Sequence, residues 1–379
     1  MRTDAVTSGT SERNYGLDVL KIIATVLIIF HHYQQAFEVL YSSGINFYGG
    51  SWFYWGILVE LFFMISGYVT VKYIPLIQAQ KISLKDWYIK KVIRLLPLVA
   101  LSVLVYESLL YIHSPICDGC SACGDAKVNV WGAIITALGL QAGGVFRNPM
   151  INDPTWYISV LIIAYVVFYI VTLASQKFGI PVWYAYIAMI LLGCGIQTYG
   201  ISLPYLNSMT GRGYAGFFMG VLIAMYVKKY GISKKLSILS FSVSALVVYL
   251  CLFHSNGVEA EHRNLLSFIL FPSMVLSTES NAVKKLFHHD FWRIWGQCSY
   301  NAFVWHIPMI LVLALAADFV DIAPYIPHRK TMYLFALLVE TVGVVSHFAI
   351  EKPLTHAAKR VVYMISAAHT PCQERIAEE

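Results

Sequence analysis

Two adjacent histidines, His31 and His32, lie inside an apolar stretch running from Leu17 to Phe37, and ionisable residues recur in other apolar stretches along the chain. Asp18 and Lys21 share that first stretch, Glu38 closes it, and Glu60, Glu107, His306, Glu340 and His347 stand in later ones. An imidazole changes charge near neutral pH, and a neighbouring carboxylate fixes its tautomer and raises its basicity. His32 therefore reads as a general base, with Glu60 as the carboxylate that orients it. The other reading of each residue is interhelical hydrogen bonding without chemistry. A second group, Lys90-Lys91-Val92-Ile93-Arg94-Leu95-Leu96-Pro97, puts three cations within five residues. Arg94 can grip a phosphate in bidentate fashion while the lysines act as point charges, and the same block would also serve as an anchor in lipid headgroups.

Helical geometry sorts these groups. Positions 18, 21, 25, 28 and 32 share one face, and fourteen residues set Asp18 and His32 about 21 Å apart along the axis. Asp18 and Lys21 thus belong to one membrane edge and His32 to the opposite half, with His31 turned about 100° away from it. Glu60 stands about 12 Å below the start of its own stretch. That depth is similar to that of His32, which leaves a contact between the two within reach.

The elements that must carry these residues are membrane spans. Of 379 residues, 58% are hydrophobic and 13% charged, and the mean hydropathy is +0.63. A soluble domain carries about 25% charged residues, so both a disordered chain and a single soluble core are excluded. The net charge of +6, from 27 Lys and Arg against 21 Asp and Glu, belongs to topology rather than to nucleic acid. A span needs about 20 mostly apolar residues. This length predicts ten spans, near 17–38, 52–74, 92–113, 155–174, 181–200, 213–230, 236–253, 264–280, 296–318 and 331–350. Val130 to Leu140 is too short to cross and is expected to be re-entrant or interfacial.

Placing the N-terminus inside leaves Lys127, Arg147, Arg212, Arg263, Arg329 and Lys330 outside, six of the 27 basic residues. The predicted fold is all-α and polytopic, with about ten transmembrane helices and both termini cytoplasmic. One membrane domain, 13–360, is flanked by cytoplasmic tails at 1–12 and 361–379, in the cell (plasma or inner) membrane. The first stretch exceeds a signal h-region and lacks a small-residue cleavage site after it, so it is expected to remain as a span.

Other features add detail. Cys117-x-x-Cys120-x-x-Cys123 falls in an outer loop, where a local disulfide or loop thiol chemistry is expected. A zinc site there would need a fourth ligand, for which His113 is the near candidate. Cys194, Cys251, Cys298 and Cys372 read as free thiols. No Walker loop, Gly-x-Ser-x-Gly elbow or regular metal-ligand spacing within the spans occurs, and no metal is expected. Arg212, between Gly211 and Gly213 on the outer side, suits an acidic or carbohydrate ligand. Trp52-Phe53-Tyr54-Trp55 reads either as a platform for sugar rings or as an aromatic belt.

Several of these segments resemble the acyltransferase-3 family of integral membrane acyltransferases. Arg13-x4-Asp18-x-x-Lys21-x10-His32 is similar to the family's opening helix, with Lys21 where Arg is usual, and the spacing selects His32 over His31. Phe62-Phe63-Met64-Ile65-Ser66-Gly67 resembles its Phe-Phe-x-x-Ser-Gly segment, preceded by Glu60 where Asp is frequent. Lys90-Lys91-x-x-Arg94-x-x-Pro97 stands for Arg-Arg-x-x-Arg-x-x-Pro. Trp156, Phe217-Phe218-Met219-Gly220, Ser299-Tyr300-x4-Trp305-His306-x-Pro308 and Glu351-Lys352-Pro353 follow in the expected order, so the likeness runs from about 13 to 360. The two lysines weaken a bidentate clamp, the cysteine loop lies outside the general pattern, and no esterase-like domain is attached.

The resemblance implies acyl-CoA, most often acetyl-CoA, as a cytoplasmic co-substrate, with no permanently bound cofactor. Arg13, Asp18, Lys21, Lys90, Lys91 and Arg94 would form its site, Arg13 and Asp18 shaping the cytoplasmic approach. His32 would act as base or as a transient acyl carrier, oriented by Glu60, and Ser66, Arg212, Ser299, Tyr300 and His306 would line the cavity. The implied acceptor is a hydroxyl of an extracytoplasmic or lipid-linked carbohydrate. Membrane lipids, acyl-CoA and this acceptor are then the partners, and nucleic acid is not one. The alternative is a transporter or exporter of a small molecule such as an amino acid or a glycan precursor, because related membrane domains occur fused to amino-acid racemases. A structural or sensory protein, the third reading, would use every buried ionisable residue as interhelical glue.

Overall fold

The computed structural model of the chain describes residues 13–41, 55–113, 128–146, 151–253 and 260–368, and these contain no β-strand. Trp52–Tyr54, the Cys117–Cys123 loop and Cys372 lie outside the described residues. In chain order the helices are α1 (Tyr15–Tyr41), α2 (Leu58–Thr70), α3 (Ile74–Gln78), α4 (Leu84–His113) and α5 (Val130–Ala137). Next come α6 (Trp156–Lys177), α7 (Val182–Tyr199), α8 (Ser208–Tyr230) and α9 (Lys234–Phe253). A π-helical turn, Leu266–Leu270, joins α10 (Ala260–Leu265) to α11 (Phe271–Thr278), and α12 (Asn281–Leu286) follows. Beyond it lie α13 (Asp290–Phe319), α14 (Arg329–Ser346), a second π-helical turn at His347–Glu351, and α15 (Lys352–Ala368).

Within the described residues each of the ten expected spans is largely helical, and eight are long and apolar enough to cross a membrane. The protein is an all-α, multi-pass membrane protein. The other two stretches are more polar: α8 carries Arg212 and four glycines, and α10–α11 carries Arg263 and Ser267. The short apolar piece after the third span is α5, eight residues long and packed against α4.

Close backbone approach sets the centre of the bundle. α2 packs along α8, and a Cβ on Gly67 would lie 1.9 Å from the Phe217 carbonyl oxygen, one on Gly220 1.9 Å from that of Met64. Small residues at facing positions let helices meet in lipid, where burial of apolar surface gives no drive between them. α8 is started by a capping box: the Asn207 side chain accepts from the Met209 and Thr210 amides, and the Thr210 hydroxyl accepts from the Asn207 amide. That box fixes the first turn of α8 and with it Arg212.

Candidate active site

A cavity of about 490 Å³ lies among α1, α2, α4, α6 and α13. Arg13, Lys21, Lys91 and Arg94 line it together with Ser66, Ser299 and Tyr300, so seven of the residues singled out from sequence meet there. They meet because the beginnings of α1 and α4 lie at one end of the bundle. Asp18, expected at the ligand itself, stands behind the cations. It is buried, accepts from Arg13 Nε at 2.7 Å and Nη2 at 3.1 Å, and takes Lys21 Nζ at 2.6 Å. One carboxylate among four cations leaves the cavity positive, which suits a polyanion.

Two expectations for the basic block change. Lys90 is exposed with its Nζ 5.5 Å from the Tyr73 ring and does not line the cavity, because one helical step turns it away from Lys91. Lys91 points its Nζ into a box of rings, 4.0 Å from Tyr165, 4.3 Å from Trp87 and 5.2 Å from Tyr73, where cation–π attraction holds it. Arg94 is therefore the cation of this block best placed to grip a phosphate. The Tyr300 hydroxyl donates to the Leu95 carbonyl, tying α13 to α4 beside Arg94, and the Ser66 and Tyr157 hydroxyls are 3.3 Å apart.

His32 and His306 form a pair. His306 Nδ1 lies 2.5 Å from the Phe303 carbonyl oxygen, which can only accept, so the proton sits on Nδ1 and Nε2 carries a lone pair. That lone pair faces His32 Nδ1 at 3.0 Å, so His32 donates from Nδ1, shared with the Ile28 carbonyl at 3.1 Å. The relay leaves the lone pair of His32 on Nε2. His32 is partly exposed, whereas His306 is fully buried behind the ring of Phe303, which lines the cavity. His31 is buried with its ring 4.9 Å from that of His32. Pro308 explains the local backbone. It has no N–H for the Val304 carbonyl four residues earlier, and the Asn152 side-chain amide donates to that carbonyl instead at 3.0 Å.

Glu60 does not orient His32, and Arg212 does not share the basic cavity. Arg212 Nε donates to Glu60 Oε1 at 2.9 Å, Arg263 Nε lies 3.6 Å from the same oxygen, and the Ser267 hydroxyl donates to Oε2. These groups border a second cavity of about 340 Å³ between α2, α7, α8 and the α10–α11 stretch. Phe62, Ser66 and Val69 face the first cavity while Glu60 and Met64 face the second, as a two-residue step of about 200° requires. α2 is thus a wall between the two. Aromatic rings bridge the same gap: Tyr157 in the first cavity meets Phe63 at 4.7 Å, Phe63 meets Trp156 at 6.2 Å, and Arg212 lies 5.0 Å from Trp156.

The family model described as an acyltransferase domain matches residues 14–346, most of the chain and both members of the histidine pair. The chain belongs to the acyltransferase-3 family. No curated protein and no solved structure matches it.

Most of the remaining buried ionisable groups of this membrane acyltransferase hold elements together. Glu107 accepts from the Asn129 amide at 2.7 Å and so docks α5 onto α4. Glu351 accepts from Asn301 Nδ2 at 2.7 Å and faces His347 Nδ1 at 2.5 Å, while Ser346 links Asn301 to the Trp305 indole. Glu340 is buried with neither carboxylate oxygen hydrogen-bonded. Glu279 accepts from Asn14 at 2.6 Å and Tyr68 at 2.5 Å and pairs with Lys284 at 2.6 Å, which seats the start of α1. Sequence reading missed Asn152, Ser267 and the pairing role of His306. Only the last had a signal, in the Trp305-His306-x-Pro308 block.

Proposed function

We propose that the protein moves an acyl group, acetyl in the first instance, from cytoplasmic acyl-CoA to a hydroxyl of an extracytoplasmic or lipid-linked carbohydrate in the cell membrane. Two observations support this reading: a cavity lined by four cations, and a histidine pair outside that lining, in contact with it through the Phe303 ring, whose relay leaves the His32 lone pair on Nε2. Arg94, with Arg13 and Lys21, would take the phosphates of CoA through charge-assisted hydrogen bonds. His32 Nε2 accepts the acceptor hydroxyl's proton as the oxygen attacks the thioester carbonyl carbon. The C–S bond then breaks, the ester forms, and the CoA sulfur leaves with the proton returned by His32.

The other route has His32 Nε2 attack first, giving an acyl-imidazole that the hydroxyl then cleaves. Rapid-quench mass spectrometry of the protein with acetyl-CoA alone separates the two, since only the second route leaves an acetyl group on His32. A transporter gives no reason for a histidine relay that leaves a lone pair on His32 Nε2, which favours transfer.

His32→Ala should lower acetyl transfer by about a hundredfold or more, read as acetylation of surface glycans by mass spectrometry in cells making equal amounts of folded protein. His31→Ala should be milder. Unchanged acetylation in the His32 variant would sink the assignment.

A further inference from the structure

The second cavity takes no part in the transfer just described, yet it is built for a charged ligand. Among the described residues, Glu60 supplies one negative charge to this cavity, and Arg212 and Arg263 supply two positive ones. Both guanidinium groups turn to the same oxygen of Glu60, and Ser267 occupies the other, so the carboxylate cannot neutralise both. Arg212 is further held by the Gly56 carbonyl at 3.2 Å and by the Trp156 ring. Arg263 is the more open of the two, with its side chain 41% exposed against 15% for Arg212. Thr198 and Asn264 offer a hydroxyl and an amide at the same wall, and Met64 and Phe268 give apolar surface. A surplus cation beside hydrogen-bonding groups and apolar surface is the chemistry that recognises a carboxylate on a hydroxyl-bearing ring.

We infer that this cavity binds an acidic sugar unit of the acceptor through its carboxylate, with Arg263 as the principal ligand. The inference rests on the proposed carbohydrate acceptor. α2 lies between this cavity and the basic one, so the bound unit anchors the acceptor chain and is not the unit that is acylated. Glu60 begins α2 and Ser66 lies near its end, so the anchor sits toward the end of the bundle opposite the cations.

The test uses the full chain in lipid nanodiscs and saturation-transfer NMR with glucuronate, glucose and inorganic phosphate as probes. Glucuronate should bind at least about tenfold more tightly than glucose. Arg263→Gln should weaken glucuronate by about the same factor and leave acetyl-CoA binding unchanged, whereas Arg94→Ala should do the reverse. Thr198→Val, at an exposed position, should weaken glucuronate severalfold and serves if the arginine variant does not fold. Equal binding of glucose, unchanged glucuronate binding in both cavity variants, or tighter binding of inorganic phosphate than of glucuronate would each overturn the inference. Loss of acetyl-CoA binding with glucuronate binding intact would instead count against the transfer reading alone.

Discussion

At the scale of single residues, the proposed transfer would depend on which nitrogen of His32 holds its proton. His306 decides that, because its Nδ1 is committed to the Phe303 carbonyl and its Nε2 can only accept. A glutamine at 306 keeps an acceptor oxygen on a side chain of similar reach, while alanine removes it. His306→Ala should therefore lower kcat by about tenfold to a hundredfold with little change in KM for acetyl-CoA, and His306→Gln should recover part of the loss. Steady-state kinetics on purified protein checks this. A purely structural role for His306 would instead reduce the amount of folded protein and leave kcat per folded molecule unchanged. The sequence pattern pointed to His32 and the Trp305-His306-x-Pro308 block separately. Their meeting depends on how α1 packs against α13, which no local pattern encodes.

At the scale of elements, the spans were legible because a bilayer demands about 20 apolar residues, and eight of the ten expected stretches meet that demand in the described residues. The partnership of Glu60 was not. Helical rise gives the depth of Glu60 correctly enough to suggest His32, but depth says nothing about rotation, and the α2 face that carries Glu60 turns toward α8. The two π-helical turns were also invisible in advance, and each carries polar groups: Ser267 in one, His347 and Glu351 in the other. α2 itself is held by backbone approach to α8. Gly67→Ala would put a methyl 1.9 Å from the Phe217 oxygen, and should destabilise the protein by about 3 kcal/mol or more. Gly195→Ala, in α7 with nothing within 4 Å of the added methyl, should be neutral or slightly stabilising. Thermal unfolding in detergent, followed by size-exclusion chromatography, compares the two.

At the scale of the whole molecule, scarce charge is concentrated where two ends of the bundle need it. The basic cavity gathers Arg13, just before α1, and Lys21 of α1 with Lys91 and Arg94 from α4, segments some seventy residues apart in sequence. If these cations hold the phosphates of CoA, Arg94→Ala should raise KM for acetyl-CoA about tenfold and change kcat little. The response of KM to added salt should also flatten, because part of the screened attraction is gone. Kinetics at low and high ionic strength measure both, and unchanged donor dependence would mark Arg94 as a headgroup anchor.

The wall formed by α2, together with the run of rings from Tyr157 through Phe63 to Trp156, bears on the economy of the host membrane. Such membranes store energy as ion gradients, and any protein with an open pore drains them. Here the two cavities are separated by a tightly packed helix and a run of tilted aromatic rings. Under the proposed transfer, an acyl group handed from sulfur to oxygen would cross as a covalent passenger and need no pore. On that proposal, a cell could carry many copies of this enzyme while its membrane stayed electrically tight.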